Sequence, residues 1–148
     1  MLTLHAHAGE EALHRCAQTG KEILPETLLL AVTVLTSMNQ SALNSIGVQS
    51  PVIEQVERLA CVATQSQLGG IVCSPHELTH LRACLPSETK MVTPGIRPEG
   101  SAVGDQKRIM TPVQAKHAGA DYLVIGRPIL AAENPALALD SILEEMQN

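Results

Sequence analysis

Basic residues are concentrated in one segment of the sequence, from Arg97 to Arg127. Five of the ten basic residues lie there with three acidic ones, although the whole chain carries a formal net charge of −5. A locally positive segment in an acidic protein favours a small dianionic ligand such as a phosphate ester. The same pattern also fits a solvated loop in which an arginine forms an ion pair, and these features alone leave both interpretations open.

Two features of this segment could form a phosphate site. The first is the run Tyr122–Ile125 followed by Gly126 and Arg127, which predicts a strand, a close backbone turn and the start of a helix. Backbone N–H groups at such a turn bind phosphate, and Arg127 could add a bidentate contact. The second is Pro94–Met110, a long stretch without periodicity. Long irregular loops inside a domain are often functional.

Histidine and cysteine spacings raise the alternative of a metal site. His5 and His7 would share one face of a predicted strand, as in some barrel hydrolases. Such a site needs further histidine and aspartate ligands at later strand ends, which the sequence does not offer. We therefore set a metal hydrolase aside as a minor alternative.

A second pattern places His76, His80 and Cys84 at i, i+4 and i+8 of a predicted helix, close to Cys73. Zinc ligands occur at such spacings. The favoured interpretation is an exposed helix with one buried cysteine. Cys73 as a catalytic nucleophile lacks a supporting histidine and asparagine pattern.

The composition predicts a globular chain with an aliphatic core. Of the 148 residues, 45% are hydrophobic and 17% charged, unlike disordered chains. A single aromatic residue, Tyr122, argues against binding of single-stranded nucleic acid by base stacking, and the negative net charge argues against binding a phosphate backbone. The longest apolar stretch, Leu28–Leu35, is too short to span a bilayer, so no membrane role is predicted.

Cysteine usage predicts a reduced, cytoplasmic protein. The four cysteines form no Cys-x-x-Cys pair. The first residues also lack the basic start and the apolar run of a signal peptide.

Strand-like runs alternate with helical stretches along the chain, which predicts an α/β fold. Several runs are nearly continuous in Val, Ile and Leu, as in parallel strands covered on both faces. The predicted strands are Leu2–Ala6, Leu28–Leu35, Gly70–Cys73, Lys90–Thr93 and Tyr122–Ile125. The predicted helices are Glu10–Lys21, Val52–Gln67, Pro75–Leu85, Pro112–His117 and Pro128–Gln147.

The chain opens directly in a predicted strand, which we interpret as the sign of a missing upstream part. In a TIM (β/α)₈ barrel, the loops after strands 7 and 8 frequently form a phosphate site. If the last two strands here are those two, residues 1–148 are a single partial barrel domain made of the last five βα units, strands 4 to 8. Three absent N-terminal units of about 30 residues each would bring the length near the roughly 250 residues of a typical barrel.

Several motifs, in the right order, resemble the C-terminal portion of the bacterial orotidine 5'-phosphate decarboxylase family. Near the C-terminus they are Thr93–Pro98, Gly104–Pro112 and Val124–Pro128. Upstream, Ala31–Met38 and Gly70–Ser74 resemble the fifth and sixth strands of that family. The resemblance covers nearly the whole chain.

The resemblance implies five ligand-binding residues. Arg127 and the backbone of Gly126 match phosphate-binding positions after the eighth strand. Gln106 matches a loop glutamine that reaches the phosphate when a lid closes, and Arg97 matches a ligand-binding position at the base of that lid. Thr36 matches a position after the fifth strand, near the pyrimidine nucleotide. All four side chains can donate hydrogen bonds to phosphate, sugar or base oxygens.

The sequence departs from the family pattern in two places. The run His5–Gly9 carries Ala8 where the family usually has a glycine, so a different local turn is expected. The Asp-x-Lys-x-x-x-Asp array and the further lysine that perform the decarboxylation have no counterpart. Only Asp105 has a lysine two residues later, and it lies in the lid loop.

The resemblance implies a lyase that converts orotidine 5'-phosphate to UMP and CO₂ in pyrimidine biosynthesis, with no metal or organic cofactor. Members are homodimers with active sites at the subunit interface. The chain alone is expected to be inactive while retaining the half that binds the phosphate and the nucleotide. The alternatives are a non-catalytic phosphate-binding fragment and a barrel enzyme of the same superfamily that acts on a sugar phosphate.

Overall fold

Five parallel strands in chain order form the sheet of the computed structural model, which describes residues 1–98 and 109–147. Each strand pairs with the next one along the chain, so every crossover connects direct neighbours. The strands are β1 (Leu2–His5), β2 (Leu29–Val32), β3 (Gly70–Val72), β4 (Lys90–Thr93) and β5 (Tyr122–Leu123). All five lie within the predicted runs.

Helices connect the strands. They are α1 (Glu10–Ile23), α2 (Gln40–Ser45), α3 (Val52–Gln65), α4 (Leu78–Cys84), α5 (Pro112–His117), α6 (Arg127–Leu130) and α7 (Pro135–Glu145), with 3₁₀ turns at Ala6–Ala8 and Pro75–Glu77. The sequence did not predict α2. The predicted helix Pro128–Gln147 is divided into α6 and α7, because Asn134 is extended before Pro135 and caps α7 by accepting a hydrogen bond from the Leu137 N–H.

In the part of the chain that the structure describes, the core lies between the sheet and the helices and is built from aliphatic and small side chains. Ala31, Ile71 and Met91 occupy one face of three central strands and are fully buried. The helices cover them with the buried residues Leu13, Ala17, Val56, Ala60, Leu78, Leu81 and Ala115. An aliphatic core was predicted from the single aromatic residue, and it is confirmed.

The opposite face of the sheet is less uniformly covered. Residues that alternate along a strand point to opposite faces, so Leu30 and Val92 lie on this second face. Both are buried there. Tyr122, which pairs with Val92 in the register of β4 and β5, remains 44% exposed. Burial on this face therefore decreases toward β5.

Gly70 allows β2, β3 and β4 to approach closely. A Cβ at this position would lie 2.4 Å from the Lys90 carbonyl oxygen and 2.8 Å from Leu30 Cδ2. We expect Gly70→Ala to lower the free energy of unfolding by about 2 kcal/mol, because a backbone carbonyl in a sheet ladder cannot move aside. Chemical denaturation measures the change. Gly126→Ala is the matched control, since within residues 1–98 and 109–147 its added Cβ would have no atom within 4 Å apart from its chain neighbours. Equal stability of the two variants would contradict the expectation.

Within residues 1–98 and 109–147, no helix combines the length and the apolar composition that crossing a membrane requires.

Candidate functional site

The carboxyl ends of the strands meet at one edge of the sheet, and hydrogen bonds continue beyond the strand ends. The Thr33 N–H and hydroxyl both donate to the Val72 carbonyl, at 3.2 and 2.9 Å. The Cys73 N–H donates to the Val92 carbonyl and the Val124 N–H donates to the Thr93 carbonyl. These contacts fix the positions from which the loops after β2, β3, β4 and β5 leave the sheet.

Thr36 lies in the loop after β2 and lines a cavity of about 240 Å³ at this edge. The wall of the cavity also includes Ser37 from the same loop, Cys73 after β3 and Pro94 after β4. Thr36 is buried except for 8% of its surface. The cavity wall thus contains both Thr36, a predicted ligand-binding residue, and Pro94, the first residue of the irregular stretch.

Arg97 lies at the start of that stretch and is largely buried, with 8% exposure. Its guanidinium Nη1 donates to the Ile96 carbonyl at 2.7 Å, and its backbone N–H donates to the Met110 carbonyl at 3.0 Å. Ile96 and Met110 also form a parallel bridge. The two ends of the segment between them are therefore tied together, and the Arg97 guanidinium is held at its base.

Gly126 and Arg127 follow β5, as predicted. The Ile129 and Leu130 N–H groups donate to the Gly126 carbonyl, at 3.0 and 2.9 Å. Among the residues that the structure describes, and its two chain neighbours aside, no atom lies within 4 Å of the position that a Gly126 Cβ would occupy, which leaves room for a ligand beside this backbone. The helix α6 that begins at Arg127 has only four residues. Any phosphate contact here therefore depends on individual N–H groups and the arginine rather than on a long helix dipole.

Gln106 lies outside the described residues, as do Asp105, Lys107 and Arg108. The remaining predicted residues, Thr36, Arg97, Gly126 and Arg127, follow three of the five strands at the same sheet edge.

The predicted pairing of His5 and His7 on one strand face is wrong. The strand β1 ends at His5, and His7 belongs to the 3₁₀ turn Ala6–Ala8. Ala8 stands where the family pattern usually has a glycine. The next residue, Gly9, has a φ of 87°, so a glycine still supplies the positive φ that this turn requires.

The region from Cys73 to Cys84 is also more complex than a single exposed helix. Cys73 is buried, as predicted, but His76 belongs to a 3₁₀ turn while His80 and Cys84 lie on α4. Sequence reasoning did not single out Glu77, a buried carboxylate that accepts a hydrogen bond from the Ser74 N–H at 2.8 Å. The spacing of Ser74 and Glu77 is that of a capping box, which is the signal that could have found it.

A charged network holds the opposite edge of the sheet, at the start of β4 and β5. Asp121 accepts hydrogen bonds from Arg82, from Lys90 and from the Met91 N–H. Partial burial opposes ionisation of Asp121, but the Met91 N–H, Arg82 and Lys90 outweigh it and lower the pKa of the carboxyl below its ordinary value. This aspartate is therefore committed to structure rather than to the site.

Comparisons with known proteins agree on one family. The sequence matches the family described as "Orotidine 5'-phosphate decarboxylase / HUMPS family" over residues 1–142. It is 48% identical to an orotidine 5'-phosphate decarboxylase of Opitutus terrae over 148 residues, which is 100% of this chain and 64% of the relative. It is 52% identical to one of Aliivibrio fischeri, over 96% of this chain and 61% of the relative.

The fold agrees as well. The crystal structure of orotidine 5'-phosphate decarboxylase from Lactobacillus acidophilus superimposes with a TM-score of 0.84 at 33% identity, covering 100% of this chain and 64% of that one. The chain thus spans less than two thirds of the length of these relatives, and the prediction of an α/β partial TIM barrel is confirmed. The sequence match and the five parallel βα units together place the chain in the orotidine 5'-phosphate decarboxylase / HUMPS family.

Proposed function

We propose that this chain is the phosphate- and nucleotide-binding part of an orotidine 5'-phosphate decarboxylase, a lyase that forms UMP and CO₂. The observation that carries the proposal is the convergence of the loops after β2, β4 and β5 at one sheet edge, in a chain of this family. Substrate binding is assigned to Thr36, Arg97, Gln106, Gly126 and Arg127.

The proposed roles follow from chemistry and position. Arg127 and the Gly126 backbone bind the phosphate dianion, because a guanidinium forms two parallel charge-assisted hydrogen bonds with phosphate oxygens. Thr36, in the wall of the 240 Å³ cavity, contacts the nucleoside. Arg97 is held where the chain leaves the described residues after β4, and Gln106, which follows it in the sequence, is assigned to the phosphate from the resemblance of its motif to the family.

We further propose that residues 1–148 are one partial barrel domain and that three further βα units complete it. An apolar groove of about 310 Å³ beside β1, lined by residues such as Leu4, Ile23 and Leu29, supports this proposal. Leu2 and Ile23 are 48% and 69% exposed there. A helix and strand packed on this edge would remove that apolar surface from water.

Two further parts of the proposal concern assembly and location. The full-length protein is assigned a homodimeric state, as in the family the motifs resemble. A cytoplasmic location is supported by the four cysteines, all of which are free thiols.

Binding of UMP tests the proposed site. UMP at millimolar concentration is expected to raise the melting temperature, because a ligand that binds only the folded state stabilises it. Arg127→Ala should weaken the affinity by about tenfold to a hundredfold, the loss expected for a charge-assisted hydrogen-bond pair. Thermal denaturation with increasing UMP measures both.

Arg58→Ala is the matched control, since Arg58 lies on α3 with its side chain 68% exposed and 4.0 Å from the Glu54 carboxylate. Its response to UMP should equal that of the unaltered chain. Uridine without phosphate should give little shift. No shift with UMP would refute the phosphate site, and an equal shift with ribose 5-phosphate would favour the sugar-phosphate alternative.

A further inference from the structure

Two neighbouring helices bring together metal-ligating side chains of three types, away from the strand ends. The ligand atoms of Glu57 on α3 and of His80 and Cys84 on α4 all lie within 4.8 Å of one another. His80 Nε2 and Glu57 Oε2 are 2.7 Å apart. Glu57 and His80 are 23 residues apart in the sequence, so no short spacing motif predicts that their side chains meet.

The spacing on each helix repeats. Glu57 and Cys61 are four residues apart on α3, and His80 and Cys84 are four residues apart on α4. Residues at i and i+4 lie one above the other on the same helix face. The three clustered side chains offer a carboxylate, an imidazole and a thiol, and Cys61, which lies outside this cluster one turn along α3 from Glu57, would add a second thiol. These are the ligand types of tetrahedral zinc sites.

We propose that Glu57, His80 and Cys84 bind Zn²⁺ between α3 and α4, with Cys61 completing a tetrahedral set. The cation would replace the 2.7 Å contact between His80 Nε2 and Glu57 Oε2. The site would link the helix before β3 to the helix after it. Its role is therefore structural, and it is independent of the proposed decarboxylase site.

Cobalt(II) titration of the reduced, metal-free chain tests the site. We expect one equivalent of Co²⁺ to give thiolate charge-transfer absorption and the strong visible bands of tetrahedral cobalt, and Zn²⁺ to displace it. His80→Gln and Cys84→Ser should each weaken metal binding by at least about tenfold. Cys16→Ser is the control, since Cys16 is exposed on α1 outside the cluster, and its titration should match that of the unaltered chain.

Alkylation of the unaltered chain gives a readout that does not depend on the folding of a variant. Zn²⁺ should protect Cys61 and Cys84 from a maleimide, while Cys16 reacts at the same rate with and without metal. Absence of tetrahedral cobalt bands, or equal alkylation of Cys84 with and without Zn²⁺, would overturn the proposal. Cobalt spectra of Cys61→Ser with unchanged charge-transfer intensity would overturn the four-residue ligand set.

Discussion

The 148-residue chain alone is expected to release no measurable CO₂ from orotidine 5'-phosphate. Loss of CO₂ from C6 of the pyrimidine leaves a carbanion-like centre without an electron sink. Stabilisation therefore requires charges positioned in advance and a lysine that protonates C6. The family array that supplies them has no counterpart in this sequence. Of the three aspartates, Asp105 lies outside the described residues, Asp121 is bound in the Arg82 network and Asp140 lies on α7.

Turnover is measured by the change in pyrimidine absorbance, with the purified chain and with the chain plus a separately expressed N-terminal segment of the Opitutus terrae relative. The chain alone should be inactive, whereas the mixture should gain activity if the segment packs beside β1. Arg127→Ala separates real turnover from contaminating host enzyme, which the substitution cannot affect. Turnover by the chain alone that Arg127→Ala abolishes would contradict the expectation.

Loss of the Arg82 guanidinium is expected to lower the free energy of unfolding by about 2 to 3 kcal/mol. Its Nε and Nη2 donate to the Gly119 carbonyl at 2.8 and 2.6 Å, and its Nη1 donates to the Thr89 carbonyl at 2.9 Å. It also pairs with Asp121. Arg82→Met keeps an aliphatic stem beside Gly119 while removing the donors to the Gly119 and Thr89 carbonyls and one of the partners of Asp121. Urea denaturation measures the loss, and Arg58→Met is the control for removing an arginine.

The same network predicts a pH dependence. The folded-state pKa of Asp121 is below its ordinary value, so the unfolded chain binds the proton more readily. The stabilisation is therefore fully present above about pH 4, the pKa of an unperturbed aspartate, and is lost as the pH falls through the lower folded-state value. The stability difference between the unaltered chain and Asp121→Asn should shrink between pH 6 and pH 3. A constant difference would contradict this role of the charge.

Sequence reasoning located the strands because each is a short apolar run; the sheet buries most residues of the central strands β2, β3 and β4 and leaves the edge strands β1 and β5 largely exposed. It did not predict α2, since Gln40–Ser45 is short and polar and has a single buried apolar residue, Leu43. It also extended the last helix across Asn134, where a local cap and the following proline prevail over a continuous hydrophobic pattern.

The candidate site was predictable as residue types but not as an arrangement. The resemblance identified Thr36 and Arg97, but only the fold reveals that Thr36 lines a cavity with Pro94. Arg97 is buried and donates hydrogen bonds to the Ile96 and Met110 carbonyls, and the second partner is the last residue of the irregular stretch. The cluster of Glu57 and His80 depends on how α3 packs near α4, which no spacing within one helix encodes.

The single aromatic residue has a spectroscopic consequence. Tyr122 is the chain's only source of ultraviolet fluorescence, and its ring lies on the partly open face of β5. Its emission and its near-ultraviolet circular dichroism therefore report on one strand at the edge of the sheet. A partner segment without tyrosine or tryptophan that closes over this face would change that signal against no background, whereas binding confined to β1 would leave it unaltered.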